Sequence, residues 1–344
     1  MKKKILVTGG TGYIGSHTTI ELIEENFDVV IIDDLSNSEA DAVERIRNIS
    51  GVKPVLEVFD LCDEQRLNNF FEKAGDVAAI IHFAAYKAVG ESVIKPLEYY
   101  RNNLVSLINL LDAMKRFGIP NMVFSSSCTV YGQPDKLPVT EESPFRPAVS
   151  PYGNTKQIGE EIIRDAAFSA KDLKAISLRY FNPIGAHTTG LIGELPRGVP
   201  ENLVPFITQT AMGLRKELKV FGNDYNTPDG SCIRDYLHIT DLSRAHVAAV
   251  KRLLNHESKK NYEVFNLGTG TGVSVLEAIR SFEKVTGVKV RYRITGRRAG
   301  DIEKIWADPT LANRELGWKT IYSLDDAMRS AWEWEKNIRS SKNG

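Results

Sequence analysis

The sequence predicts an α/β fold, a doubly wound parallel sheet followed by a smaller, loop-rich C-terminal domain. Three observations predict it. Short apolar runs alternate with longer helical patterns through the first half of the chain, the mark of a parallel sheet covered by helices on both faces. A glycine-rich turn, Gly9 to Gly15, joins the first apolar run to the first helical pattern. After about Tyr180 the texture changes, and residues 181–236 become rich in Gly, Pro and Asn.

The expected strands are Lys4–Val7, Asp28–Ile32, Pro54–Phe59, Val77–Phe83, Asn121–Ser126 and Leu173–Tyr180. Helical patterns fall between them near Tyr13–Glu25, Glu39–Ile49, Glu64–Lys73, Leu97–Phe117 and Tyr152–Ala170, with right-handed crossovers. Pro96 suits the start of the fourth helix and Gly118 its end. Leu97, Leu104, Leu107, Leu111 and Met114 share one stripe of that helix, which packs on the sheet or forms a subunit interface. Residues 1–180 are the expected dinucleotide domain and 181–344 the substrate domain. In the latter, a short helix is expected around Pro205–Leu214. The pattern at Thr240–Leu254 could pack back on the first domain, and the polar tail Ser340–Gly344 is expected to fray.

Composition excludes several classes. The 344 residues carry 44 basic and 44 acidic side chains, so no electrostatic footprint for nucleic acid or an anionic membrane is expected. Ile5–Val7 is too short for a secretory core, and no stretch approaches the length of a spanning helix. Cys62, Cys128 and Cys232 are scattered, which suggests neither disulfides nor a zinc knot and fits a reducing cytoplasm. The six histidines show no metal-binding spacing, so no metal is expected.

Gly9, Gly12 and Gly15 have G-x-x-G-x-x-G spacing between a buried strand and a helix. Such a turn lets backbone approach a pyrophosphate without Cβ clashes, and the helix N-terminus offers free N–H groups to the anion. Asp33, at the end of the second strand, stands where a carboxylate accepts from an adenosine ribose and repels a 2′-phosphate. That combination is Rossmann-type and favours NAD over NADP.

Tyr152-Gly153-Asn154-Thr155-Lys156 is a Y-x-x-x-K at the start of a helical pattern, so the two side chains share a face. Bringing a tyrosine from about pH 10 to neutrality needs about 4 kcal/mol. The Lys156 ammonium and a cationic nicotinamide are the expected sources, and the resulting phenolate is a general base. Ser127 lies after the fifth strand, at the sheet edge where ligands sit in such folds, and can relay a proton. Ser125 and Ser126 are expected to satisfy backbone groups.

Ser-Tyr-Lys in this order, after the glycine turn, resembles the extended short-chain dehydrogenase/reductase superfamily. Further stretches resemble its UDP-glucose 4-epimerase family nearly end to end. They include His82–Ser92, Ser150–Gly153, Leu178–Pro183, Phe221–Tyr225, Arg234–Tyr236 and Arg297–Asp301. The resemblance implies a tightly bound NAD. Tyr13 and Ile14 would lie at its pyrophosphate. Asp33, Asp34, Leu35, Ser36, Asn37 and Ser38 would hold its adenosine ribose, and Asp60 and Leu61 its adenine. Phe83, Ala84, Ala85, Lys87 and Asn102 would line its channel, and Lys156 and Phe181 would meet the nicotinamide end. Many relatives carry Gly where this chain has Ala85; one added methyl is expected to fit.

For the nucleotide-sugar the resemblance implies contacts from Ser127, Tyr152, Asn182, Asn202, Leu203, Lys219, Val220, Phe221, Arg234, Arg298, Asp301 and Ile305. Guanidinium groups suit a diphosphate. The implied reaction interconverts UDP-glucose and UDP-galactose: Tyr152 removes the 4′-hydroxyl proton, C4′ is oxidised, and the keto sugar turns over and is reduced on its other face. Ile305 borders the sugar 2-position, so the N-acetylated pair is a further expected substrate. The implied assembly is a homodimer through helices 97–117 and 152–170. A 4,6-dehydratase would need an acid/base pair after Ser127, where Cys128 and Thr129 stand. A uronate epimerase would need groups for a sugar carboxylate, and none is evident. A non-catalytic NAD sensor need not retain Tyr152, Lys156 and Ser127. Gly268–Gly272 resembles a second nucleotide turn, but the Ser274/Glu277 capping pattern after it reads as a strand-to-helix turn.

Overall fold

The computed structural model describes residues 2–298 and 301–340. Of the Arg297–Asp301 motif, Ala299 and Gly300 lie outside the described residues, as does the tail beyond Ser340. The chain begins with β1 (Lys4–Thr8), α1 (Tyr13–Glu24), β2 (Asp28–Asp33), α2 (Ala42–Ser50) and β3 (Val55–Val58). It continues through α3 (Glu64–Ala74), β4 (Val77–His82), α4 (Val89–Ile94), α5 (Pro96–Tyr100) and α6 (Ser106–Phe117). Next come β5 (Asn121–Ser125), α7 (Pro151–Ser169), β6 (Lys174–Tyr180) and β7 (Asn182–Ile184). The second half adds α8 (Leu203–Ala211), β8 (Leu218–Phe221), β9 (Ile233–Arg234), β10 (Tyr236–His238), α9 (Ile239–Leu254) and β11 (Tyr262–Leu267). It closes with β12 (Val273–Ser274), α10 (Val275–Thr286), β13 (Tyr292–Thr295), α11 (Thr310–Glu315) and α12 (Leu324–Ser340).

Seven strands form one parallel sheet in the order β11-β6-β5-β4-β1-β2-β3. The chain runs from β1 outward to β3, then returns to the other side of β1 with β4, so strand order reverses between β1 and β4. Crevices at such switch points take ligands. Burial of both sheet faces explains the near-continuous apolar runs: Ile5, Leu6 and Val7 are all fully buried. One core packs α1 and α9 on one face, and a second packs α3, α6 and α7 on the other.

Six of the seven strands were legible as apolar runs; β11 was not. Its first residues, Tyr262-Glu263-Val264, are only half-buried because it is an edge strand, so their pattern is mixed.

The helix expected over 97–117 is broken. Between α5 and α6 the residues Arg101–Val105 form a π-turn. One extra residue in a turn rotates all later side chains by about 100°. The buried stripe of α6 is therefore Leu107, Leu110, Ala113 and Met114, while Leu97 lies exposed. The π-turn also brings Asn103 inward. Its amide pairs with the backbone of Tyr86 (2.8 and 3.0 Å) and with Thr155 Oγ1 (3.0 Å), tying the segment after β4 to α7. Turns of this type often mark functional sites.

The second half builds a smaller core from α8, α10, α12 and three two-stranded ladders, β7–β10, β9–β12 and β8–β13. It sits over the carboxyl ends of the main strands, because β7 follows β6 directly and β10 leads into α9, which lies against α1. Among the described residues no helix is long and apolar enough to cross a membrane.

Candidate active site

The glycine turn has the geometry its spacing predicts. Gly9 has φ +70°, and a Cβ there would stand 2.7 Å from Ala84 N, across the switch point. At Gly15 a Cβ would meet Gly9 O at 2.2 Å. Only glycines let α1 begin this close to β1, and the hollow they leave fits a dinucleotide pyrophosphate. Gly12 is the N-cap of α1 and offers no side-chain partner to the free N–H groups, which remain for an anion.

Asp33 is buried and spends both carboxylate oxygens inside the turn. Oδ2 accepts from Thr11 N (3.1 Å); Oδ1 accepts from Leu35 N (3.0 Å) and Ser38 Oγ (3.0 Å). It braces the glycine turn against the segment Asp34–Ser38, whose Leu35 has φ +59°. Asp34 similarly turns Ser36 back on itself (Oδ1 to N, 2.9 Å). Asn37 is exposed beside them. Asp60 caps its own turn by accepting from Cys62 N (2.8 Å), and the Leu61 side chain lies in the core while its carbonyl accepts from Asn109 Nδ2 (3.0 Å).

Tyr13 donates to Gly185 O (2.7 Å), and Ile14 packs on the core beneath α1. Phe83 lies against His246, with ring centroids 4.7 Å apart and planes tilted by 49°. Ala84 and Ala85 follow, both half-buried. Lys87 is half-exposed and pairs with Glu194 at 3.7 Å. Asn102 donates to Asn103 Oδ1 (3.1 Å), so the π-turn presents the two asparagines together.

The three expected catalytic side chains converge. Ser150 caps α7 by accepting from Gly153 N (3.2 Å), and Pro151 opens it, so Tyr152 stands in the first turn. The Ser127 hydroxyl accepts from Thr129 N (3.2 Å) and lies beside the Tyr152 phenol. One turn on, Lys156 Nζ donates to Ser125 O (2.7 Å), 5.9 Å from the Tyr152 ring centre and 4.9 Å from that of Phe124. All three are nearly excluded from water.

Burial governs their protonation. It raises the Tyr152 pKa well above the usual tyrosine value; nearby Tyr180 and Cys128 add to the rise and the neighbouring Ser127 hydroxyl opposes it. Burial also lowers Lys156 to about 8, against the pull of Glu160. The protein alone therefore holds Tyr152 as a neutral phenol. A further cation in the crevice is needed before it can act as a base, and an oxidised nicotinamide is one. His82 stays neutral beside them, lowered to about 3 by burial and then by Lys156.

On the other wall, Arg298 Nη2 donates to Asp301 Oδ1 (2.7 Å), and Arg234 Nη2 reaches the same atom at 3.4 Å. The Arg298 guanidinium lies 5.5 Å from the Phe221 ring centre. Two guanidiniums on one carboxylate leave donors for a diphosphate. Of its neighbours on β8, Lys219 points outward, whereas Val220 is 1% exposed and packs in the core, which leaves only its backbone for a ligand. Asn182 is half-buried on β7, and Asn202 and Leu203 open α8. Asn202 donates to Glu194 Oε1 (2.6 Å). Ile305 is 2% exposed and shares a cluster with Phe181 and Cys128, so it forms the floor under the site.

Two residues with no signal in the spacing join these parts. Glu194 meets both Lys87 and Asn202. Arg197 reaches from the same loop to Ser36 O (2.6 Å) and Ser38 O, strapping the second half of the chain across Asp34–Ser38. The second glycine-rich turn is explained by Asp235. Its buried carboxylate accepts from Thr269 N (2.8 Å), Gly270 N (3.2 Å) and Ala307 N (3.1 Å), and a Cβ on Gly268 would strike it. An internal anion already fills that nest, and Ser274 and Glu277 form the capping box after it. Among the described residues no cluster could hold a metal ion.

Fold and site together define an NAD-type extended short-chain dehydrogenase/reductase with a Ser-Tyr-Lys centre. The family described as GDP-mannose 4,6 dehydratase matches residues 6–331. The chain is 47% identical to UDP-glucose 4-epimerase of Dictyostelium discoideum over 332 residues, 96% of this chain and 95% of that one. It is 46% identical to the Homo sapiens UDP-glucose 4-epimerase, covering 98% and 97%. The UDP-glucose 4-epimerase of Stenotrophomonas maltophila, solved with NAD and formylated UDP-arabinopyranose, superposes with TM-score 0.94 at 47% identity over 98% of this chain and 99% of that one. That of Bifidobacterium longum, with NAD+ and UDP, gives 0.93 at 44% over 98% and 99%. The chain belongs to the UDP-glucose 4-epimerase family. The dehydratase match carries the shared fold; after Ser127 stand Cys128, whose thiol burial pushes up to about 12, and Thr129, neither an acid at neutral pH.

Proposed function

We propose that this protein interconverts UDP-glucose and UDP-galactose by transient oxidation at C4′ with tightly held NAD. The observation that carries the reading is the convergence of Ser127, Tyr152 and Lys156 on the crevice opened by Gly9 and Gly15, in a chain matching UDP-glucose 4-epimerases over nearly its whole length. Residues 1–180 hold the dinucleotide and 181–344 the nucleotide-sugar in this reading. When bound, NAD supplies the hydride acceptor and donor. Tyr152, charge-compensated by Lys156, takes the 4′-hydroxyl proton through Ser127 and later returns it. Arg234 and Arg298 grip the diphosphate while the sugar stays lightly held, so its keto form can present either face. Purified protein should turn over UDP-galactose without added NAD; no turnover removes the assignment.

The N-acetylated pair belongs to the same proposal. Ile305 is shorter than an aromatic side chain, and a UDP-Glc/GlcNAc 4-epimerase of Campylobacter jejuni is 36% identical with TM-score 0.83. Turnover of UDP-N-acetylgalactosamine tests it. A homodimer is supported by exposed Ile94, Leu97 and Ile108 on α4–α6 and is tested by light scattering. The proposed compartment is the cytoplasm.

The Arg197 strap closes one side of the proposed NAD crevice. Losing its two charge-assisted bonds, Arg197→Ala is expected to release bound NAD about tenfold faster or more. Dinucleotide retained after gel filtration, read by absorbance, checks this; unchanged retention would leave the strap without that role.

A further inference from the structure

Three consecutive serines, Ser125 at the end of β5 and Ser126 and Ser127 just after it, run beside α7. Ser127 lies beside the Tyr152 phenol, and the Ser125 carbonyl accepts from Lys156. Between them, Ser126, fully buried, donates to Glu160 Oε1 at 2.5 Å. Tyr152, Lys156 and Glu160 are spaced four apart, so they lie along one face of the helix. Glu160 is itself 3% exposed and fully engaged. Arg179 of β6 donates to it through Nε (2.9 Å) and Nη2 (2.6 Å), and Tyr262 of β11 donates at 3.1 Å. Arg179 is fixed in turn by the Tyr131 hydroxyl (2.9 Å) and Glu141 O (3.1 Å). The mechanism above uses none of these groups.

We propose that Glu160 is a positioning residue for the reaction: anchored by Arg179, it holds Ser126 and so fixes the end of β5 against α7, setting Ser127 on Tyr152 and the Ser125 carbonyl on Lys156. A hydroxyl and a phenol that must pass a proton tolerate little misplacement. A shift of about 1 Å can cost about a hundredfold in rate. Ser126 is the middle link, so loosening it displaces both neighbours together. The carboxylate has a second effect through space. It favours the charged form of Lys156, which burial opposes. The other titratable groups around the pair do not interfere near neutrality. His82 of β4 stays neutral, Tyr180 and Cys128 are pushed up to about 12, and Tyr262 lies higher than an ordinary tyrosine. Arg179 keeps its charge.

The inference rests on the epimerase reading, and two variants test it against active wild-type protein. Ser126→Ala removes one oxygen and leaves the Glu160–Arg179 pair intact, so the fold survives. It is expected to lower kcat for UDP-galactose about tenfold with KM within about twofold, since binding groups are untouched. Glu160→Gln keeps the shape and removes the charge. Its kcat should fall similarly, and the alkaline limb of its kcat–pH profile should move to lower pH, because Lys156 loses its proton more easily. A merely structural Glu160 would lower the melting temperature of both variants and leave kcat per folded molecule and the pH profile as in wild type; that result overturns the proposal. If Glu160→Gln does not fold, the kcat–KM split of Ser126→Ala decides alone. Wild-type protein with no turnover would sink the epimerase reading and this inference with it, whereas active wild-type protein and unaffected variants would sink this inference only.

Discussion

Replacing Tyr152 with phenylalanine is expected to lower kcat by about 10²–10⁴-fold while NAD remains bound. The phenol oxygen is the only part removed, and the ring stays packed in the first turn of α7. Lys156 keeps its bond to the Ser125 carbonyl, so its charge stays in place and cofactor retention should change little. What disappears is the group that exchanges a proton with the sugar hydroxyl. Ser127 cannot replace it, because a serine hydroxyl has no accessible anion near neutral pH and its oxygen already accepts from Thr129 N. Steady-state rates with UDP-galactose, together with the absorbance of released dinucleotide, check both halves. Activity within about tenfold of wild type would show that proton transfer runs through another group.

Gly15→Ala should have the second large effect, and on binding rather than chemistry. Its Cβ would lie 2.2 Å from Gly9 O and 2.8 Å from Gly10 Cα, both backbone atoms that no rotamer change can move. Either α1 shifts away from β1 or the turn opens. The first weakens the core under Ile14 and Ile20; the second spoils the pyrophosphate hollow. An overpacked contact of this kind costs about 1–3 kcal/mol. The variant should therefore purify without dinucleotide and melt at a lower temperature. A Gly15→Ala protein with full NAD content would mean that the turn does not carry the cofactor.

The parts of this protein that can be read from sequence are those set by local rules. β1, the glycine turn, α1 and Asp33 follow from buried strands and a close backbone approach, and each stands in place in the fold. Tyr152 and Lys156 share a face because helical spacing requires it. The break in the fourth helix was hidden, since a π-turn has no fixed composition and only the inward pairing of Asn103 explains it. Asp33 showed only half of its behaviour: the sequence suggests a ribose acceptor, whereas its hydrogen bonds show a brace for the turn itself. Glu194 and Arg197 sit in an irregular loop where no periodicity exists to mark them, and their contacts join residues 87 to 202 and 36 to 197. Glu160 did carry a signal, one helical turn beyond Lys156, but four-residue spacing alone cannot distinguish a buried anchor from a solvated acid.

In the proposed reaction one tyrosine and one lysine serve a redox change that begins and ends on the same carbon. UDP-galactose carrying deuterium at C4′, incubated with purified protein in ordinary water and no added NAD, puts this to the test. The UDP-glucose formed should keep the deuterium at C4′, with no free NADH. Loss of the label to solvent would show instead a proton abstracted from carbon and would rule out the hydride route.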